Sequence, residues 1–247
     1  MNRILTVSAA IVAIGFLSGS SRSVPLRPVS TSRSIAPETR NFAYLEKGEV
    51  GGGETVTRDG DMISGDMAMG AKHAHYEGRI AADGTIPRLD IRAWRSAAEA
   101  KHPRVLSAIV GRDSTMLIEH LGSHVDTLRF ASQPGLLPLI NPSMGLIEVL
   151  VARARLQKSP SVNVPILGID ALDLDAPHST EKVMAGLTPV ELTFLAADTV
   201  RLGNPTSKDQ MRLIIGADGR IRGANSGSTS KDKFSMRPTA KPVPPRK

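Results

Sequence analysis

Four groups of residues have types and spacings that chemistry can use. The first is the histidines. His73 and His75 are two apart and share one face of a strand, and His120 and His124 flank Gly122 across a turn. Four imidazoles can hold zinc or copper, but only where the chain brings them together and a carboxylate orients them. No spacing here forces either, so they are expected to be separate surface histidines. The second group is Asp170, Asp173 and Asp175, followed by Glu181. A calcium loop needs ligands at its first, third and fifth positions and glycine at the sixth. Leu172, Leu174 and Asp175 occupy those later positions, so a solvated acidic turn is expected and no metal is assigned.

The third group is a pair of S-x-x-K matches, Ser179–Lys182 and Ser228–Lys231. Neither opens a helix, and the companion S-D-N and K-T-G motifs are missing. No G-x-S-x-G elbow occurs, which leaves only a cryptic serine hydrolase around His120, His124 and Asp126 as an enzymatic reading. The fourth is Gly51-Gly52-Gly53, which precedes a strand and not a helix, so it is expected to be a flexible turn and not a phosphate cradle. No catalytic residues and no cofactor are assigned, and the chain is expected not to be an enzyme.

The elements that carry these residues are mostly strands. Asp59-Gly60, Asp83-Gly84 and Asp218-Gly219 are hairpin signals, because glycine enters positive φ without penalty. Their flanks alternate apolar and polar, as in residues 62–69, 73–81 and 86–95. Further strands are read at 104–110, 114–119, 124–131, 162–167, 189–195, 199–202, 211–215 and 221–224. Strands at this spacing predict a long antiparallel meander of about ten to twelve strands. The fold class is therefore mainly β (α+β), a half-barrel or sandwich with one main helix on its concave face.

That helix is read from Met144, Ile147, Leu150, Val151 and Ala154, which recur at helical spacing. Asn141-Pro142 offers an N-cap and a first-turn proline, with Ser143 as the competing cap. Glu148 sits early and Arg153, Arg155 and Lys158 late, as the helix dipole favours. Ser159-Pro160 ends it. Ahead of it lies the uncharged stretch Gln133–Ile140, with four large apolar residues. Exposed, it would be a binding lip; covered, it would be core. Leu136, Leu137, Leu139, Met144, Ile147 and Val151 are the candidate lining of an apolar cavity.

The chain opens as secretory signals do, with Arg3, an apolar run from Ile4 to Leu17, and the small residues Ser18-Gly19-Ser20. That run is shorter than the roughly 20 residues of a membrane span. Leu17-Ser18-Gly19 would fit a lipoprotein box if cysteine followed, but Ser20 follows and the chain has no cysteine. A periplasmic or secreted protein without lipid anchor, disulfides or thiolate sites is expected. Residues 1–20 are read as the signal peptide, 21–37 as a disordered linker, 38–225 as a single β-rich domain and 226–247 as a disordered, basic, Pro-rich tail.

Net charge is +7, but residues 41–227 hold 20 Lys and Arg against 22 Asp and Glu, a net of −2. The excess lies at the two ends, so no basic face for nucleic acid is expected on the domain. The ends suit an anionic envelope polymer or membrane surface. Aromatic residues make up 3% of the chain, with Trp94 the single tryptophan, which disfavours stacking platforms.

With Pro134-Gly135-Leu136-Leu137-Pro138, Pro142-Ser143 opening the helix, Val164-Pro165-Ile166-Leu167 and Ala217-Asp218-Gly219-Arg220-Ile221, the chain resembles the periplasmic lipoprotein-carrier superfamily (the LolA/LolB type) and related secreted bacterial proteins. The resemblance spans about residues 38–225. It implies a half-barrel whose concave side takes a lipid, an acyl chain or a lipoprotein segment, without catalysis. The alternative is a cell-envelope interaction protein with a filled core and basic tails.

Overall fold

Alternation of apolar and polar residues along a strand leaves one face of a sheet needing cover. Here one helix supplies it. The computed structural model of the chain describes residues 36–174, 185–203, 210–226 and 234–244. The expected signal peptide at 1–20 and all but the last two residues of the linker at 21–37 lie outside the described residues. Among the described residues fifteen strands form one open sheet in the order β8-β7-β6-β5-β4-β3-β2-β1-β15-β14-β13-β12-β11-β10-β9. The fold is mainly β with one helix packed against that sheet.

The first eight strands are an antiparallel meander: β1 (Glu38–Glu46), β2 (Glu49–Asp59), β3 (Met62–Met69), β4 (Lys72–Arg79), β5 (Arg88–Trp94), β6 (Arg104–Val110), β7 (Ser114–Leu121) and β8 (His124–Ala131). Then β9 (Leu137–Ile140), helix α1 (Met144–Leu156) and β10 (Ser161–Ile169) form a crossover unit, and β9 and β10 pair in parallel. A second antiparallel run returns to the middle through β11 (Ala185–Ala196), β12 (Thr199–Gly203), β13 (Gln210–Ile215), β14 (Ile221–Ser226) and β15 (Phe234–Thr239). Gly60, Gly84 and Gly219 have φ of 59°, 78° and 79°, as the three Asp-Gly turns require.

Two expectations give way and one open alternative closes. The tail read as disordered from 226 contains β15, which joins the two halves by pairing Tyr44 with Met236 and Asn41 with Thr239. Its Met236 is buried on the same inner face as Tyr44. Pro238 lies past the last residue of β15 paired with β14, where a strand tolerates a residue without N–H. The stretch 133–140 takes the covered one of its two readings: Leu136, Leu137 and Ile140 are buried core, and Leu137–Ile140 is a strand. The Gly51-Gly52-Gly53 run is not a turn either but the interior of β2. A Cβ on Gly52 would lie 2.2 Å from the Ala68 carbonyl oxygen, so glycine there lets β3 close in.

Helix α1 is capped by Ser143, whose Oγ accepts from the Leu146 N–H at 3.2 Å. Asn141-Pro142, the first cap read from sequence, is a cis peptide ahead of the helix. The expected single apolar stripe is also too modest. Every residue from Met144 to Val151 is buried, Glu148 included. Those first two turns are enclosed on all sides and apolar except for Glu148, whereas Leu156 in the last turn is 66% exposed. Each fully buried Leu, Ile or Val contributes about 1.5–3 kcal/mol. At its C-terminal end Arg153 donates to the Asp83 carbonyl at 3.3 Å and Arg155 to the Ala197 carbonyl at 3.1 Å. The helix is thus tied to the β4–β5 and β11–β12 turns at one end of the sheet.

Candidate functional site

At the other end, where α1 begins, the sheet leaves an open mouth. The ends of β1 and β3 and the starts of β4, β13 and β15 meet there, since antiparallel strands alternate direction. Two adjoining cavities share Met69, Lys72 and Phe234 as walls. One, of about 460 Å³, adds Asn141, Pro142, Asp170, Leu172, Asp173 and Met211. The other, of about 640 Å³, adds Tyr44, Leu45, Glu46, Gly51 and Gly70. The lining combines Met69, Met211, Phe234, Leu172 and Leu45 with the charged Lys72, Glu46, Asp170 and Asp173 and the polar Asn141. Arg104 of β6, ion-paired with buried Glu119, donates to the Asp173 carbonyl at 3.0 Å and fixes the chain beyond β10 against the first meander.

Behind the mouth sits a buried carboxylate. Glu54 lies in the row of β2 that faces the core, with Val56, and is 2% exposed. Tyr44 Oη donates to Oε2 at 2.7 Å, and Tyr76 Oη and Ser143 Oγ both lie 2.7 Å from Oε1. The Met144 N–H donates to Oε2 at 2.6 Å. Four donors, one of them at a helix N-terminus, favour the ionised form. Burial is nevertheless the larger influence and raises the Glu54 pKa above the ordinary carboxylate value. The hydroxyls of Tyr44 and Tyr76 are pushed well above the usual phenol value by burial and by the charge of Glu54.

Two glycines make room for Tyr76. A Cβ on Gly65 would fall 2.3 Å from its ring, and one on Gly145 2.5 Å from its hydroxyl. Tyr44 links the two features, because its side chain lines the larger cavity while its hydroxyl holds Glu54 and lies 3.2 Å from the Pro142 carbonyl oxygen. Glu54, Tyr76 and Ser143 are enclosed, and the cluster orients the helix start and the mouth wall.

The six lining residues expected from sequence stand elsewhere. Leu136, Leu137, Met144, Ile147 and Val151 are buried in the core, and Leu139 packs partly buried against it. None of them lines the two mouth cavities. They fill the interior where the cavity was expected, because the first two turns of the helix are enclosed. The residues that line the mouth went unread, since Met69, Met211 and Phe234 lie at strand ends far apart in sequence. Glu54 did carry a signal, a charge on the apolar row of a strand.

The other motifs are dispersed. His73 stacks on Trp94 with centroids 5.7 Å apart. His75 Nδ1 lies 2.8 Å from Asp66, and that hydrogen bond raises the imidazole pKa. His124 Nε2 lies 3.2 Å from Asp126 on β8, whereas His120 faces a groove of about 280 Å³ on the opposite side of the sheet. Asp170 and Asp173 edge the mouth, while Asp175 and Glu181 lie outside the described residues, as do both S-x-x-K matches. Among the described residues no group of three or more His, Asp and Glu is placed to hold a metal, and no helix is long and apolar enough to cross a membrane.

No family model matches the chain, and no curated protein does. Among solved structures, the crystal structure of a DUF1089 family protein from Pseudomonas aeruginosa is similar at 15% identity and a TM-score of 0.49, over 82% of this chain and 95% of that one. A likeness this distant carries no argument about function.

Proposed function

We propose that the protein is a secreted or periplasmic, non-enzymatic binding protein for a hydrophobic ligand such as a lipid, an acyl chain or a lipoprotein segment. In this reading the ligand enters the mouth at the start of α1 and not the interior. The observation that carries it is the pair of adjoining cavities walled by Met69 and Phe234. Methionine suits a site that takes flexible chains, because its unbranched thioether re-packs easily. The signal-like start and the carrier-like sequence features support the location and the ligand class.

The filled interior favours a second reading, an envelope interaction protein whose basic ends dock on anionic polymer or membrane surface. Native mass spectrometry of the protein purified without detergent separates the two. A co-purified mass of several hundred daltons, displaced in Met69→Asp, is the expected result. A clean protein mass with no uptake of added fatty acid or hydrophobic dye overturns the first reading. Loss of envelope association at low salt on neutralising the basic residues beyond Thr239 would then support the second.

A further inference from the structure

Charge is spread unevenly over the sheet, although residues 41–227 sum to only −2. Strands β12 to β15 contain four arginines and no acidic residue. Arg222 pairs with Asp218 of the preceding turn at 2.6 Å. The other three, Arg201, Arg212 and Arg237, have no carboxylate partner among the described residues. Val200, Leu202, Leu213, Ile215 and Met236 of the same strands are buried in the core. Alternation therefore puts the three arginines on the opposite, outer face of the sheet.

Register sets their spacing. Arg201 of β12 stands directly opposite Arg212 of β13. Arg212 in turn faces Asn225, and Asn225 faces Ser235, two residues before Arg237 on β15. With strands about 4.8 Å apart, the three Cα positions fall within roughly 16 Å of one another. Like charges directly opposite destabilise a sheet. Arg201 donates to Thr193 Oγ1 at 3.1 Å, but that neutral group cancels no charge. Arg212 and Arg237 are exposed. Outer charges on the first meander are instead matched, His75 with Asp66 and Arg88 with Asp90, each at 2.8 Å. The second run thus carries a repulsion that no described side chain offsets.

We propose that the outer face of β12 to β15 is a docking surface for an anionic polysaccharide, whose carboxylate groups pair with Arg201, Arg212 and Arg237. The inference takes its class of partner from the second reading above and moves the contact from the chain ends to the sheet. The planar fork of a guanidinium matches a carboxylate with two hydrogen bonds. Asn225 and Ser235, between Arg212 and Arg237, suit the hydroxyls of a sugar. Phe234, the one aromatic residue of these four strands, is a wall of the mouth. No large apolar side chain on the four strands is exposed. The face therefore lacks the stacking rings that bind unpaired bases and the apolar anchors that enter a bilayer.

The test is binding of the full chain to alginate, a polyuronate, by titration calorimetry at low salt. Arg212→Gln, Arg237→Gln, the double variant and a chain neutralised beyond Thr239 are measured beside it. Each arginine removed is expected to weaken binding about fivefold, as for one cation at an anionic surface. The double variant should lose about twentyfold. The melt of Arg212→Gln should be unchanged or higher, because the opposed pair is relieved. Should that variant fail to fold, Arg237→Gln, which faces no arginine across the ladder, decides alone. Binding that survives the arginine changes but not neutralisation of the end overturns the proposal and leaves the second reading standing. A full chain that binds neither alginate nor phosphatidylglycerol vesicles overturns both. Tighter binding to those vesicles than to alginate overturns the choice of partner.

Discussion

Glu54 and Glu148 are both buried carboxylates within two turns of the start of α1, yet their surroundings have little in common. Glu148, on the helix, is reached by the guanidinium groups of Arg40 and Arg220 and by the Ile221 N–H at 2.8 Å. Glu54, on the sheet, is hydrogen-bonded only by neutral donors: two phenols, one hydroxyl and one helix N–H. The first solution cancels charge with charge. The second spreads charge over dipoles, one of them at the helix N-terminus. The difference teaches what each site tolerates. An ion pair fails when either partner goes, whereas a ring of dipoles loses one bond at a time and responds to the proton.

Breaking the ion pair should cost most. Glu148→Gln leaves two cations facing a neutral amide, and unfolding free energy in urea should fall by about 3–5 kcal/mol. Glu54→Gln, the matching change, keeps one acceptor and adds a donor that clashes with its neighbours; it should cost about 1–3 kcal/mol. A larger loss for Glu54→Gln than for Glu148→Gln in the same titration would reverse the comparison. Tyr44→Phe sharpens it, because it removes one donor of four and should cost about 1 kcal/mol. A loss as large as that of Glu54→Gln would mean the ring acts as one unit.

The smallest effect is a drift with pH. Burial raises the Glu54 pKa in the folded protein. A raised carboxyl contributes stability that is fully present below the ordinary carboxylate value and is lost as pH rises through the folded value. The stability of the unaltered chain relative to Glu54→Gln should therefore fall as pH is raised across that interval. A difference that stays flat would show that the four donors balance burial, and one that rises with pH that they outweigh it.

Much of the sheet was legible in the sequence. Strands β3 to β8 and β10 to β14 follow from alternation between turn residues, and the three Asp-Gly turns hold glycines at positive φ. What escaped depends on partners distant in sequence. Phe234–Thr239 looks like tail because its neighbours are charged and proline-rich; only β1, nearly the whole chain away, makes it a strand. Leu137–Ile140 reads as loop because nothing local reveals the parallel pairing with β10. For the site, the six apolar residues chosen around α1 were legible as buried, but not as filling a space expected to be open. The mouth is assembled from strand ends, whose residues have no periodicity to mark them.

The pairing of β1 with β15 also bears on synthesis. During synthesis the first described strand, β1, has one of its two neighbours, β2, available at once, and the other only when the last described strand emerges. Contacts across so long a stretch of chain are slow to form, because loop closure comes before any gain. Until β15 has been made, the two meanders stay unjoined, with Phe42 and Tyr44 beside an open seam. Any factor that accompanies this chain meets it in that half-joined form.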